Sequence, residues 1–138
     1  MIKKIWSNEV FSTDLGSLIL RVGLGGTLFG NHGLVKLSRI GQDNIQFLQF
    51  MGLDAHTSML LAGIAESVFG IFLALGIRTR LSALPLIFVL SIAVFVQHAA
   101  DPFRVKELAV IYLTGLIALF FVGGGKYSVD GWLDSRRS

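Results

Sequence analysis

The sequence predicts an all-α fold, an integral membrane four-helix bundle, and three observations carry that expectation. Of 138 residues, 53% are hydrophobic and only 15% charged, where soluble domains carry about 25% charged residues. The mean hydropathy is +0.69. Four apolar stretches, about 15–37, 57–77, 81–100 and 106–122, each approach the roughly 20 residues that cross a hydrocarbon core. One domain, 1–138, is the expected organisation.

The first span opens after Asp14 and is rich in glycine; Gly26 and Gly30 form a GxxxG pair suited to close helix packing. Its length and the lack of a small-residue cleavage site argue for a retained span over a secretory signal. Residues 38–56 form the longest connection, and Ile45, Phe47, Leu48, Phe50 and Met51 lie there beside Asp43, Gln46 and Gln49. That mixture predicts a short helix on the membrane surface between spans one and two. Arg78-Thr79-Arg80 is short enough to make spans two and three antiparallel neighbours, with Pro85 near the first turn of span three, where proline is tolerated. Asp101-Pro102 predicts a second tight turn, and Gly123-Gly124-Gly125 ends span four.

The net charge of +3 is scattered between apolar runs instead of gathered on one face, so nucleic acid is not an expected partner. With no cysteine, disulfides, thiolate metal sites and thiol exchange within the chain are excluded. No metal site is expected. Lys3, Lys4, Arg78, Arg80, Lys126, Arg136 and Arg137 fall on one side of the four-span topology; Lys36, Arg39, Arg104 and Lys106 fall on the other. Seven against four places both termini in the cytoplasm.

Charged groups at membrane depth cost about 2.5 to 3.5 kcal/mol each on insertion scales, so they face the bundle interior and mark function. Arg21 and His32 differ by only about 20° on a helical wheel, with Lys36 within reach of the same face. Glu66 sits near mid-membrane in span two, where Arg21 is its expected ion-pair partner. His32 and His98 each lie seventeen residues into spans of the same direction, so they share a depth near the outer interface. Gln97, Asp101 and Glu107 crowd that rim. Arg21, His32, Lys36, Glu66, His98 and Glu107 are therefore the candidate ligand-binding residues, lining a polar pocket for a quinone head group or another small lipophilic ligand. The structural alternative is that Arg21 and Glu66 hold two helices together while the histidines hydrogen-bond at the interface. Haem ligation by His32 and His98 ranks below both, because equal depth is necessary for it and far from sufficient.

Several segments resemble the DoxX family of small four-span bacterial membrane proteins. Leu20-Arg21 followed by Phe29-Gly30-Asn31-His32-Gly33-Leu34-Val35-Lys36-Leu37 looks like that family's first span, and Ala65-Glu66 through Gly76-Ile77-Arg78-Thr79-Arg80-Leu81 is similar to its second span and basic turn. His98 fits its third-span histidine, and Gly125-Lys126-Tyr127-Ser128-Val129-Asp130 looks like its closing segment. The resemblance implies a multi-pass protein of the bacterial inner membrane, a membrane subunit linked to quinone-dependent oxidoreduction beside a protein partner or a second copy. The alternative is a non-catalytic membrane anchor or assembly subunit of a larger complex, and a small-solute or proton pathway would require an oligomer. The charge count also makes a direct prediction: a reporter fused after Ser138 reads as cytoplasmic, and a periplasmic signal reverses the topology.

Overall fold

The computed structural model describes residues 5–7 and 10–136; Lys3, Lys4 and Arg137, counted above for topology, lie outside them. Helix α1 (Thr13–Thr27) runs through a π-helical turn (Leu28–Gly33) into α2 (Leu34–Ser38) without a break. Ser12 starts it, its hydroxyl accepting from the Leu15 N–H at 3.2 Å, which satisfies one of the free donors of a helix N-terminus. Helix α3 (Ala55–Leu75) is capped by Asp54 and ends on Gly76 in the left-handed region, at φ 73°. Helix α4 (Thr79–Ile92) continues through a second π turn (Ala93–Gln97); α5 (Phe103–Val122) and the short α6 (Val129–Ser135) follow.

Three of these helices, Ala55–Leu75, Thr79–Gln97 and Phe103–Val122, are long and apolar enough to cross a membrane. The α1–α2 helix, about 39 Å long at 1.5 Å per residue, is diluted by its glycines, Arg21, Asn31 and His32. It packs along α3, α3 packs on α4, α4 on α5, and α5 returns to α1, closing a four-helix bundle. Leu28, Leu73, Leu86, Leu116 and Leu119 are fully buried in its core. Ile19, Phe95 and Phe121 point outward, as helices solvated by lipid require.

The contact between α1–α2 and α3 is antiparallel and close. A Cβ on Gly25 would stand 2.5 Å from the Gly70 carbonyl oxygen and 2.7 Å from the Ala74 nitrogen, one on Gly33 would collide with Ser67, and one on Gly63 would stand 3.0 Å from Leu37. Gly26 and Gly30, the pair that the sequence pattern nominates, meet nothing within 4 Å. Adjacent helix positions differ by about 100°, so only one of the neighbours Gly25 and Gly26 can face α3, and the register selects Gly25.

Two further expectations are corrected. No helix forms between spans one and two: residues 42–50 are irregular, and the chain turns at Met51 (φ 52°) and Gly52 (φ 81°). A free-standing short helix has a costly nucleus, whereas this segment turns Phe47, Leu48, Phe50, Met51 and Leu53 toward a cavity in the bundle. Pro85 lies inside α4, because that helix starts at Thr79 and not at Leu81. Its ring removes the N–H that would bond the Leu81 carbonyl.

The packing predicts opposite outcomes at neighbouring glycines. Gly25→Ala should destabilise the detergent-solubilised protein by about 1 to 3 kcal/mol through overpacking. Gly26→Ala should be neutral or slightly stabilising, since helix propensity favours alanine by about 1 kcal/mol; thermal melting of both variants checks the pair.

Candidate functional site

The α1–α3 register decides the partners of the intramembrane charges. With Gly25 opposite Gly70, Gly33 opposite Ser67 and Leu37 opposite Gly63, Glu66 faces Lys36. Lys36 Nζ donates to Glu66 Oε2 at 2.5 Å, with the two side chains 20% and 4% exposed. The expected Arg21–Glu66 pair does not form. Arg21, fully buried, donates Nη1 to the Ala74 carbonyl at 2.8 Å and Nη2 to the Tyr127 carbonyl at 3.0 Å. Ala74 is eight residues past Glu66, about 12 Å along α3. Arg21 therefore caps the carbonyl end of α3 and ties it to the chain before α6.

At the opposite end of the bundle lies a partly open cavity of about 590 Å³. His32, Lys36, Glu66 and His98 line it together with Gln97 and Tyr112, and most of the remaining wall is apolar, including Leu61, Ala65, Val89 and Ala109. Arg21 is not in the lining, and neither is Glu107, which is exposed. The helical wheel that joined Arg21 to His32 assumed an uninterrupted α-helix. The π turn between them carries an extra residue and shifts the face that follows.

Both histidines are held by specific contacts. His32 lies inside the first π turn and packs edge-on against the Tyr112 ring, centroids 5.3 Å apart at 80°. His98 immediately follows the second π turn; its Nδ1 lies 2.7 Å from Asp101 Oδ2, which leaves Nε2 as its second polar position. Lys106 Nζ donates to the His98 and Ala99 carbonyls at 3.2 Å each, filling acceptors at that helix end. Two π turns at matching depth, each beside a histidine of one cavity, repeat a known association of π turns with functional positions.

The irregular connection roofs this space. Phe50 donates its N–H to Ser58 Oγ at 3.1 Å, and its ring meets Phe88 of α4 edge-on at 6.0 Å. His56 Nε2 lies 3.0 Å from the Ile40 carbonyl oxygen. Asp54 anchors the end of the strap, accepting from the Thr57 hydroxyl at 2.6 Å and the Thr57 N–H at 3.0 Å. Those bonds, the hydroxyl's first, hold the Asp54 carboxyl below its ordinary range.

Tyr112 is the cavity residue that sequence reasoning missed. Its signal was a phenol at the centre of an otherwise apolar span, where a hydroxyl needs a partner or a wet surface.

The DoxX family model matches residues 16–99. The chain belongs to the DoxX family. An uncharacterized protein of Haemophilus influenzae is 33% identical over 93 residues, covering 64% of this chain and 61% of its own length. The chain thus spans less than two thirds of that relative. No solved structure matches. The family match ends before α5, so Tyr112 and the whole α5 wall of the cavity come from outside the matched DoxX segment.

The ion pair supplies the test of this geometry. Lys36→Met should strand a buried carboxylate and cost about 3 to 5 kcal/mol, while Lys36→Met with Glu66→Leu should recover most of that loss. Chemical denaturation of the four proteins in the cycle measures it; additive losses would show that the two residues are not partners.

Proposed function

We propose that this DoxX protein binds a quinone or quinol in the cavity and serves as the membrane subunit of a quinone-linked oxidoreductase. The observation that carries the reading is a ligand-sized space lined by His32, Gln97, His98 and Tyr112 among mostly apolar walls. Its lysine is already compensated by Glu66, and one nitrogen of His98 is engaged with Asp101. A neutral head group bearing carbonyls or hydroxyls suits such a site better than an anionic one, and an isoprenoid tail suits the apolar wall. His32 and His98 are the groups that would exchange protons with a quinol hydroxyl. The chain has no cysteine to take up electrons as a disulfide, and in this reading the electrons of that step pass to a redox group on a partner protein. With both termini cytoplasmic, the cavity opens in the outer half of the bacterial inner membrane.

An anchoring or assembly role is the second reading, and one observation favours it. Gly23, Gly26 and Gly30 lie along α1 and the first π turn with nothing within 4 Å of an added Cβ, a surface on which a partner helix could approach closely.

Purification in mild detergent followed by extraction of bound lipophiles separates the two. Co-purified quinone, lost by at least about tenfold in His32→Leu and His98→Leu variants that still melt cooperatively, supports the quinone site; tenfold corresponds to about 1.4 kcal/mol. A stoichiometric protein partner with no quinone would replace it with the anchoring role.

A further inference from the structure

The opposite end of the bundle holds a second, polar recess of about 470 Å³, lined by Arg78, Thr79 and Arg80 at the start of α4, by Gly123-Gly124-Gly125, and by Asp130 and Asp134. The start of α4 has no cap of its own: Arg78 is in the left-handed region at φ 45° and offers no side-chain bond. Asp130 serves instead, its Oδ1 accepting the Arg78 N–H at 2.9 Å and its Oδ2 the Thr79 N–H at 3.1 Å. Each of these oxygens keeps a further acceptor position.

The cationic side is similarly placed. Arg80 donates Nε to the Phe120 carbonyl at 3.1 Å and Nη2 to the Phe121 carbonyl at 3.4 Å, which leaves Nη1. The group lies across Gly123, 3.5 Å from where a Cβ would stand. The exposed Arg78 guanidinium has no partner among the described residues. An independent feature points to a ligand: the Thr79 hydroxyl, on a residue 2% exposed, has no hydrogen-bond partner. It is directed at Gly124 of the recess, 2.6 Å from where that residue's Cβ would stand. A buried hydroxyl without a partner costs about 1 to 3 kcal/mol.

We propose that this recess binds a phosphoethanolamine head group of the lipid bilayer, its phosphate against Arg78, Arg80 and the Thr79 hydroxyl and its ammonium toward Asp130 and Asp134. Two arginines and two aspartates line the recess, so a zwitterion finds a counter-charge for each of its ends where an anion finds one for its phosphate alone. The primary ammonium offers three N–H donors to those carboxylates, which a choline head group lacks. The recess lies at the start of α4 and the end of α5, helices long and apolar enough to cross a membrane, which would set it among the lipid head groups, and phosphate recognition by paired arginines is a charge-assisted interaction.

Native mass spectrometry of the purified protein, titrated with phosphatidylethanolamine, phosphatidylcholine and phosphatidylglycerol of identical acyl chains, tests the proposal. Phosphatidylethanolamine should be retained about tenfold better than the other two. Arg78→Gln should lower that retention about tenfold, and Thr79→Val about threefold, the range of one charged and one neutral hydrogen bond. Thr79→Val should melt as the parent does in lipid-free detergent, because the hydroxyl it removes has no partner there. Equal retention of the three lipids, or retention unchanged in both variants, overturns the site. Soluble phosphoethanolamine binding as tightly as the lipid would overturn the bilayer as its source.

Discussion

The close approach of α1 to α3 is the contact on which the rest of the bundle depends. Without water between helices, association in a bilayer rests on packing and interhelical hydrogen bonds instead of hydrophobic burial. Gly25 against Gly70 and Gly33 against Ser67 bring two backbones together with no side chain between them. That contact allows little sliding. Once it is made, Lys36 meets Glu66 and Arg21 meets the carbonyl end of α3, and among the described residues no other cation takes either role.

The two ends of the bundle then solve different problems. At the end near the termini, the polar groups are used against backbone: Ser17 donates to the Gly123 carbonyl at 2.6 Å, Asp14 accepts the Lys126 N–H at 2.9 Å, and Asp130 caps α4. The first two contacts join the first span to the segment after the fourth, more than a hundred residues apart, and the third ties that segment to α4, so this end is tied shut. At the other end Lys36 engages Glu66 and His98 engages Asp101, while Lys106 and His56 meet carbonyls of the connecting segments. Both helices that carry the histidines loosen there into π turns, and a strap replaces direct helix contact. The apolar-walled cavity forms where packing is relaxed, at the end away from the termini.

Three spans were legible because hydropathy over about 20 residues reports lipid exposure directly, and three helices meet that measure. The cavity that His32 and His98 share was legible from two spans of the same direction. Partners were harder to read. Arg21 bonds main-chain carbonyls, which every residue carries and no sequence pattern marks, so a carboxylate was the only visible candidate. The choice between Gly25 and Gly26 needed the register of a second helix. The π turns needed backbone geometry that no residue type encodes, and they displaced the wheel on which Arg21 and His32 had been aligned. The strap from Arg39 to Asp54 has the apolar content of a surface helix, but its Phe47, Leu48 and Phe50 line the cavity instead, and a short helix on its own has a costly nucleus.

The charge arrangement of the cavity bears on its chemistry more strongly than its residue list does. A lone lysine or glutamate at this depth would attract a counter-ion or lose its charge. Paired at 2.5 Å, the two form a fixed dipole that orders a neutral ligand without binding a charged one tightly. The histidine near the rim carries Asp101 on one nitrogen, and that contact extends from the cavity wall to an aspartate whose side chain is 44% exposed. On the proposed reading, the arrangement would offer a neutral, tail-bearing molecule an apolar wall, the Lys36–Glu66 dipole and an imidazole tied to an aspartate at the rim. Those are the separate requirements of a site that takes its ligand from the bilayer and exchanges protons with water.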